Sequence, residues 1–376
     1  MRWFGFGFNA FGQLHVCESV TNSEVGKVVK VINPTELKCH LNGSCCRQTS
    51  GVRASWSRRA SLHSNGGGSL CLAGFNGGND TLLVESRGCK DAAIGESFLI
   101  LAFADRLESW DLNNNQKTPS WSMDVKTSPV GDGMPLKLPL ISDGYIATNP
   151  PFYHPLSPHL KATRLALGAE HSILLSATGA VYTWGLGSHG QLGHGGLSSE
   201  EEPRVVEALW GMTMACVATG GWHTVCISDG GDLYVWGWNE SGQLGLPSQA
   251  VRRTQQCQNS QQAAGMSSCK ATPDEEKEEV FISIQAFPAL LDITASCEVK
   301  SADCGSRHTA AVTSTGDLYT WGWGEYGQLG YETSCSDEPQ RVEYFSKQKM
   351  RVVDVTCGAW NTFAAVVKEE AADSYS

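Results

Sequence analysis

A repeated pair of short segments constrains the fold of this chain more than any other feature. Three stretches that begin at Tyr182, Tyr234 and Tyr319 read YTWGLGSHGQLG, YVWGWNESGQLG and YTWGWGEYGQLG. Each follows a second repeated segment, which carries a histidine 13 positions before the tryptophan. The matched pairs are His171 with Trp184, His223 with Trp236, and His308 with Trp321. Repeats of this kind predict structural units that bury their apolar faces against their neighbours.

Each unit is predicted to contain a pair of antiparallel strands. Segments such as HSILLS and VYTWG are short and β-prone. Between them lie Thr178-Gly179, Asp229-Gly230-Gly231 and Thr315-Gly316, which supply the positive φ of a hairpin turn. No segment between the repeats has a sustained helical period, so the sequence predicts an all-β fold. We assign a structural role to the repeated histidines, tryptophans and glycines, which are His171, Trp184, Gly185, His223, Trp236, Gly237, His308, Trp321 and Gly322.

The spacing of the units indicates one long insertion. Trp184 and Trp236 are 52 residues apart, whereas Trp236 and Trp321 are 85 apart. The excess fits residues 248–279, which are rich in Gln, Ser and charge and are predicted to form a disordered loop. That loop is either a tolerated surface insertion or a recognition segment. Residues 369–376 are predicted to form a flexible tail.

Weaker copies raise the number of units to seven. The anchors are Ser57, Ser97, the stretch 138–148, His171, His223, His308 and Asn361. The N-terminal copy near Phe4 has only the WGxG-like half, and the copy that ends at Phe363 has only the histidine-bearing half. The two termini therefore complete one unit between them. We predict that residues 1–376 form a single seven-bladed β-propeller, closed by pairing of N- and C-terminal strands.

The His-Thr segment followed by LYxWGxGxxGQLG resembles the repeat of the regulator-of-chromosome-condensation family, strongly over residues 168–331. Kelch repeats have a similar length but lack the Gly-Gln-Leu-Gly copies. The layout of the whole chain is similar to a small family member that consists of little more than the propeller. The resemblance implies a non-enzymatic adaptor for a JmjC-domain, iron- and 2-oxoglutarate-dependent oxygenase linked to histone methylation and chromosome segregation. It implies a nuclear or chromosomal location and leaves an additional cytoplasmic pool open.

The resemblance also leaves a second function open. The founding member of the family is a guanine-nucleotide exchange factor for a nuclear small GTPase, so exchange is the alternative to the adaptor role. A third hypothesis, an enzyme with a site in the central channel, needs converging carboxylates or a metal set. The sequence offers neither, nor a nucleophile signature or a P-loop. We therefore expect no catalytic residue, no cofactor and no metal.

Composition limits the classes of partner. The net charge is −11, and no basic block exceeds two adjacent residues, so direct nucleic-acid binding is not expected, although chromatin could be reached through the partner. No run approaches the roughly 18 apolar residues of a membrane span. The N-terminus lacks the continuous apolar stretch of a signal peptide. The 14 cysteines are scattered, many in apolar runs, and are interpreted as reduced thiols of an intracellular protein.

Three motifs suggest chemistry, but none of them favours it over a structural or incidental interpretation. GxGxxG occurs at Gly185 and Gly322, where no helix is predicted to follow and where the motif recurs with the repeat. The repeated histidines fall on separate blades, so each is expected to form hydrogen bonds within its own blade or to the next. Cys39-His40 with Cys45-Cys46 fits no standard zinc spacing.

Residues beside the predicted turns are the candidates for partner contact. Trp and Tyr are common interface anchors, and propeller loops emerge at these turns. Packing between blades is the alternative for each ring. The candidate partner-binding residues are Trp222, Trp238, Asn239, Trp323, Tyr326 and Trp360.

Overall fold

The chain folds into seven antiparallel sheets that follow one another around a ring. The computed structural model describes residues 1–14, 29–37, 49–64, 68–75, 78–114, 117–125, 137–263, 280–294 and 297–368. The innermost strands of successive blades contact one another. For example, the strand Met214–Thr219 contacts Ala162–Leu167 on one side and Val299–Cys304 on the other. The predicted all-β, seven-bladed propeller is confirmed.

The strands are numbered along the chain. The first ten are β1 Arg2–Phe8, β2 Lys30–Glu36, β3 Thr49–Ala54, β4 Arg58–His63, β5 Ser69–Gly74, β6 Gly78–Leu83, β7 Asp91–Ile94, β8 Phe98–Ala102, β9 Arg106–Asp111 and β10 Trp121–Asp124. The next seven are β11 Leu140–Ile141, β12 Gly144–Ile146, β13 Tyr153–Pro155, β14 Ala162–Leu167, β15 His171–Ser176, β16 Val181–Gly185 and β17 Glu200–Val205. The last ten are β18 Met214–Thr219, β19 His223–Ser228, β20 Leu233–Trp238, β21 Ile284–Leu291, β22 Val299–Cys304, β23 His308–Thr313, β24 Leu318–Trp323, β25 Cys335–Arg341, β26 Met350–Cys357 and β27 Asn361–Lys368.

The blades are numbered by the order of their inner strands. Blade 1 is β3 to β6, blade 2 is β7 to β10, and blade 3 is β11 to β13. Blades 4, 5 and 6 each contain the next four strands in turn, and blade 7 has the order β2-β1-β27-β26. Short helices lie at Gln249–Ala263 (α1) and Glu343–Lys347 (α2), and 3-10 turns at Val84–Ser86, Pro158–Leu160 and Glu207–Leu209.

Blade 7 joins the two ends of the chain, as the matching deficits at the termini predict. The N-terminal β1 pairs antiparallel with the C-terminal β27, in a register that sets Phe4 opposite Ala364 and Gly5 opposite Phe363. Phe6 and Phe363 are fully buried. Asn361 donates from its side chain to the carbonyl of Phe8. The ring is therefore closed by strand pairing and by packing, which leaves no open sheet edge at either terminus.

Blade 3 is the most irregular unit. In the part of blade 3 that the structure describes there are three short strands, of which β11 contacts β14 of blade 4. The sequence places a unit at 138–148, and the structure extends it to Pro155. The chain after β12 reads ATNPPF, so blade 3 lacks the Gly-Gln-Leu-Gly turn of the strong repeats.

The structure differs from the sequence prediction in the first half of the insertion. Residues 248–279 are predicted to be a disordered loop, but Gln249–Ala263 form the helix α1. Val251 is buried, and the backbone N–H of Ser248 donates to the Asp337 carboxylate at 2.8 Å. Because Gln, Ala and Arg are good helix formers, one buried contact and an anchored start suffice to order the segment locally. Residues 264–279, the predicted tail 369–376 and the Cys39–Cys46 motif lie outside the described residues.

The apolar core lies between the blades rather than in one central mass. One cluster joins blades 5 and 6 around Trp321, and another joins blades 4 and 5 around Trp236. No disulfide joins the eight cysteines whose side chains the structure describes. Within the described part of the chain, no helix is long and apolar enough to cross a membrane.

Candidate functional site

Strand order fixes which loops share an end of the propeller. In a four-stranded antiparallel blade, the loop between the first and second strands and the loop between the third and fourth strands emerge at the same end. The hairpin between the second and third strands emerges at the other end. The segments before His171, His223, His308 and Asn361 are first-to-second loops, and the segments after Gly185, Gly237 and Gly322 are third-to-fourth loops.

The three repeated histidines join neighbouring blades. Nε2 of His171 lies 2.8 Å from Oγ1 of Thr224, and His223 and His308 make the same contact at 3.0 Å with the threonines one blade further on. These threonines in turn donate to backbone carbonyls of the third-to-fourth loops. This is the second of the two arrangements that the sequence predicts, hydrogen bonding to the next blade.

Burial keeps these histidines neutral. Loss of hydration lowers the pKa of His171 to about 4 and those of His223 and His308 to about 3. An imidazole with such a pKa is uncharged at pH 7, and each ring is held by its hydrogen bond to the neighbouring blade. The histidines therefore serve as inter-blade links and do not form an acid–base site.

The repeated tryptophans and glycines are also structural. The indole N–H groups of Trp236 and Trp321 donate to the carbonyls of Gln191 and Gln243 in the preceding blade, at 2.9 and 3.0 Å. Gly237 has φ of +109°, and a Cβ there would lie 2.5 Å from the carbonyl oxygen of Trp222. The GxGxxG segments lead into a turn and a strand, without the helix that a dinucleotide site requires.

Two of the predicted contact residues pack together at the loop end of blade 5. The rings of Trp222 and Trp238 meet edge to face with centroids 5.4 Å apart, and His189 lies within 5.9 Å of both. The indole N–H of Trp222 donates to the carboxylate of Glu170 at 3.1 Å. Both tryptophans are half-buried, so each offers part of its ring to solvent.

Three more candidates form a second group at the same end, across blades 6 and 7. Trp323 lies 4.7 Å from Trp360 and 4.9 Å from Tyr326, both edge to face. The group continues through Phe8, whose ring is 4.9 Å from that of Tyr326. Edge-to-face packing fixes the rings without burying them completely.

Arg307 connects the two groups. Its guanidinium carbon lies 4.6 Å from the centroid of Trp238, and its backbone carbonyl accepts the N–H of Trp323 at 2.8 Å. The cation–π contact crosses the boundary between blades 5 and 6, and the backbone bond holds Arg307 beside Trp323 within blade 6. The two groups form one continuous surface.

The surface extends further than the sequence prediction. Phe8 stacks near Trp56 with centroids 6.4 Å apart, and Phe11 contacts both Trp56 and Phe75. Trp56 is 46% exposed and Phe75 is 44% exposed, which makes them the most exposed rings of the surface. We name as the aromatic face the nine rings of Phe8, Phe11, Trp56, Phe75, Trp222, Trp238, Trp323, Tyr326 and Trp360, together with Arg307.

Asn239 does not belong to this face. The sequence places it among the contact residues, but it is fully buried. Its side-chain amide donates to the carbonyls of Leu246 and Ile282, and its oxygen accepts the N–H of Leu244. A short polar side chain beside a tight turn is used to satisfy backbone groups of the loop, so Asn239 shapes the face from beneath.

The carboxylate of Glu96 lies beside Trp56 at the most exposed end of the aromatic face. Glu96 accepts hydrogen bonds from the backbone N–H of Trp56 and from the backbone and hydroxyl of Ser57. Its partial burial opposes ionisation, but these hydrogen bonds outweigh it and lower the pKa of Glu96. Arg58 lies over the Phe75 ring and donates to the carbonyl of Glu96. Across the described residues, no group of three or more His, Cys, Asp or Glu side chains is placed to hold a metal ion.

Comparison with known proteins places this fold in a family. The Regulator of chromosome condensation (RCC1) repeat matches residues 178–227, 230–312 and 315–365. The chain is 42% identical to RCC1 domain-containing protein 1 of Homo sapiens over 98% of this chain and 97% of that protein. The relative of the same description from Mus musculus is 41% identical over the same shares. The chain belongs to the RCC1 repeat family.

A solved RCC1 propeller has the same fold. Prp20p from Saccharomyces cerevisiae superimposes with a TM-score of 0.72 over 98% of this chain and 92% of that one. The sequences are 16% identical, so the likeness concerns the fold. The RCC1 propeller is an architecture suited to protein interaction, and within it the strong repeats supply scaffold while the loop residues differ from blade to blade.

Proposed function

We propose that this RCC1 propeller is a non-catalytic adaptor whose aromatic face binds a JmjC-domain 2-oxoglutarate oxygenase, in the nucleus and at chromatin. The observation that carries the proposal is the collection of nine rings and Arg307 at one end of the ring of blades. Tryptophan, tyrosine and arginine are the residues that most often dominate binding energy at interfaces. The choice of partner rests on the resemblance to the small, propeller-only members of the family.

The composition of the face supports a protein partner rather than a small substrate. The rings are held in place by one another, so little side-chain entropy is lost when a partner covers them. The residues of the face lie in or beside the loops at one end of the propeller. An apolar, preorganised patch with a few charges at its edge fits the usual anatomy of a protein interface.

The experiment compares matched tryptophan variants for binding to purified JmjC-domain oxygenases. Trp238→Ala combined with Trp323→Ala removes two anchors, and we expect binding to weaken at least roughly 30-fold. The control is Trp210→Ala, because Trp210 is 68% exposed and lies between β17 and β18 at the other end of the propeller. Unchanged affinity in the double variant, or equal loss in the control, would refute the role of the face. A panel of oxygenases none of which binds the wild-type chain would refute the partner.

Guanine-nucleotide exchange is the second candidate. The observation that favours it is the fold likeness to Prp20p, whose crystal structure was described together with its binding to Gsp1p and histones. Release of a fluorescent GDP analogue from a nuclear small GTPase decides between the two. Acceleration by the wild-type chain would support exchange and count against a purely adaptor role.

A further inference from the structure

The junction between blades 3 and 4 lacks a hydrogen bond that the stronger blades share. Trp236 and Trp321 each donate from the indole N–H to a glutamine carbonyl of the preceding blade. Trp184 occupies the equivalent position in blade 4, but blade 3 has no Gly-Gln-Leu-Gly turn to supply the acceptor. Among the described residues, the indole N–H of Trp184 has no hydrogen-bond partner. A donor is therefore available at this junction.

An open notch of about 550 Å³ lies at the same junction. Its size is within the range of sites that bind a side chain or a small ligand. The apolar cluster that joins the two blades has three buried members, Leu165, Leu174 and Trp184, and its other members are only partly buried. The walls are formed by β12, β13, β16 and β17, with the connection from β13 to β14. The lining residues are Tyr145, His154, Pro155, Leu156, Ser157, His159, Leu160, Tyr182, Trp184, Glu201, Glu202 and Pro203.

Aromatic rings line one side of the notch. The centroids of Tyr145 and Trp184 are 6.0 Å apart, with an interplanar angle of 59°. His154 stacks on Tyr145 with centroids 4.8 Å apart and rings almost parallel. Tyr182 adds a further half-buried ring. Aromatic rings that line a cavity can attract a cation to an exposed electron-rich face.

Two carboxylates complete the notch. Glu201 and Glu202 are exposed on β17, and neither forms an ion pair with any residue in the part of the chain that the structure describes. Their neighbour Glu200 differs, because it is held by Arg204 at 2.5 Å. The other titratable side chains of the lining are Tyr145, Tyr182, His154 and His159. The notch therefore combines free negative charge with aromatic faces, which is the composition that favours an organic cation.

We propose that this notch binds a lysine side chain, with higher affinity when the lysine is methylated, presented by an extended segment of a partner protein. The ammonium group meets the ring faces and the two carboxylates, while Pro155, Leu156 and Leu160 contact its aliphatic stem. A backbone carbonyl of the bound segment can accept the indole N–H of Trp184, which lines the notch. A free amine offers no such acceptor, so a peptide is favoured. Methylation strengthens binding because it lowers the cost of removing the cation from water and adds contacts with the rings.

The test uses the whole chain and three short probes: acetyl-Gly-Gly-Xaa-Gly-Gly-amide, in which Xaa is lysine, trimethyl-lysine or the neutral norleucine. The indole N–H signals of the twelve tryptophans are recorded by NMR, and the signal of Trp184 is identified by its absence in Trp184→Phe. We expect the Trp184 signal to shift saturably with both lysine probes, more tightly with trimethyl-lysine, and not with norleucine. Glu201→Gln combined with Glu202→Gln is expected to weaken binding roughly fivefold or more. The matched control, Glu85→Gln combined with Glu298→Gln, removes two exposed carboxylates elsewhere and leaves affinity unchanged.

Three results would overturn the proposal. The first is an unmoved Trp184 signal at saturating probe, and the second is an equal shift with norleucine. The third is unchanged affinity in the Glu201/Glu202 variant. A shift confined to Trp238 and Trp323 would also overturn it and would leave the proposed role of the aromatic face intact, so the two proposals fail separately.

Discussion

Acidification from pH 7 to pH 5 should destabilise the propeller through its three inter-blade histidines. Their unfolded pKa is 6.5, whereas burial lowers the folded values to about 4 for His171 and about 3 for His223 and His308. Above pH 6.5 both states are neutral and the contribution is fully present. As the pH falls below 6.5, the unfolded chain takes up protons that the folded chain excludes, so stability is lost until the pH reaches the folded pKa.

The magnitude follows from the size of the shifts. At pH 5 each histidine costs about 2 kcal/mol, and the three together about 6 kcal/mol. One group opposes this trend, because loss of hydration raises the pKa of half-buried Asp303 to about 6. Its protonation returns about 1 kcal/mol at pH 5. The net loss of about 5 kcal/mol is a large fraction of the stability of a typical protein.

Urea unfolding at pH 7 and pH 5, followed by tryptophan fluorescence, measures this loss. His223→Gln is expected to lower stability at pH 7 but to reduce the difference between the two pH values by about 2 kcal/mol. The matched control is His159→Gln, because His159 is exposed and should leave the pH dependence unchanged. Equal stability at both pH values, or a variant with the full pH dependence of the wild type, would refute the assignment of these histidines as neutral links.

Three further predictions concern the scaffold, each read out as the free energy of unfolding. Gly237→Ala should cost about 1–3 kcal/mol, because the positive φ and the nearby Trp222 carbonyl leave no room for Cβ, whereas Gly196→Ala, with open space around it, should be near neutral. Phe6→Ala should cost about 3–5 kcal/mol, because it leaves a cavity in blade 7, where the two ends of the chain pair. The control Phe287→Ala should cost little, because Phe287 is 54% exposed. Equal costs for the two variants would contradict closure of the ring by β1. Thr309→Val should cost about 1–3 kcal/mol, because its hydroxyl serves both His223 and a backbone carbonyl. A loss no larger than that of Thr213→Val, at an exposed threonine, would show that the inter-blade links are dispensable.

The regular part of the fold was predictable because repetition makes local signals redundant. The offset of 13 residues between His171 and Trp184 recurs twice, and each copy predicts the same hairpin. The pairing of β1 with β27 followed from half-units at both ends, although the partners are more than 350 residues apart. Blade 3 was the least certain unit because its strands are two or three residues long, too short for a periodic signal.

The helix α1 escaped prediction for a different reason. Its sequence is mostly polar, with too few apolar residues to form a stripe that would distinguish it from a loop. The contacts that anchor it, at Ser248 and Val251, are tertiary. Asn239 was misassigned because proximity to a turn does not show whether a side chain points to solvent or caps the turn.

The aromatic face was predicted only in part, although its missing members could have been found from the repeat. Trp56 directly precedes the anchor Ser57, just as Trp222 precedes His223 and Arg307 precedes His308. Phe75 follows Gly74 as Trp238 follows Gly237. Aligning the degenerate blades on their anchors would have placed these side chains in equivalent loops. The notch beside Trp184 could not be predicted from the sequence. It lies where blade 3 has no Gly-Gln-Leu-Gly turn to pack against blade 4.

We propose that this propeller acts by binding a partner protein through its aromatic face and not by catalysis. The most direct test is affinity purification from nuclear extract with quantitative mass spectrometry, using the wild-type chain, Trp238→Ala/Trp323→Ala and Trp210→Ala. We predict that a JmjC-domain oxygenase is enriched with the wild type and with Trp210→Ala and is lost with the double variant. Retention of the same partner by the folded double variant would contradict the claim.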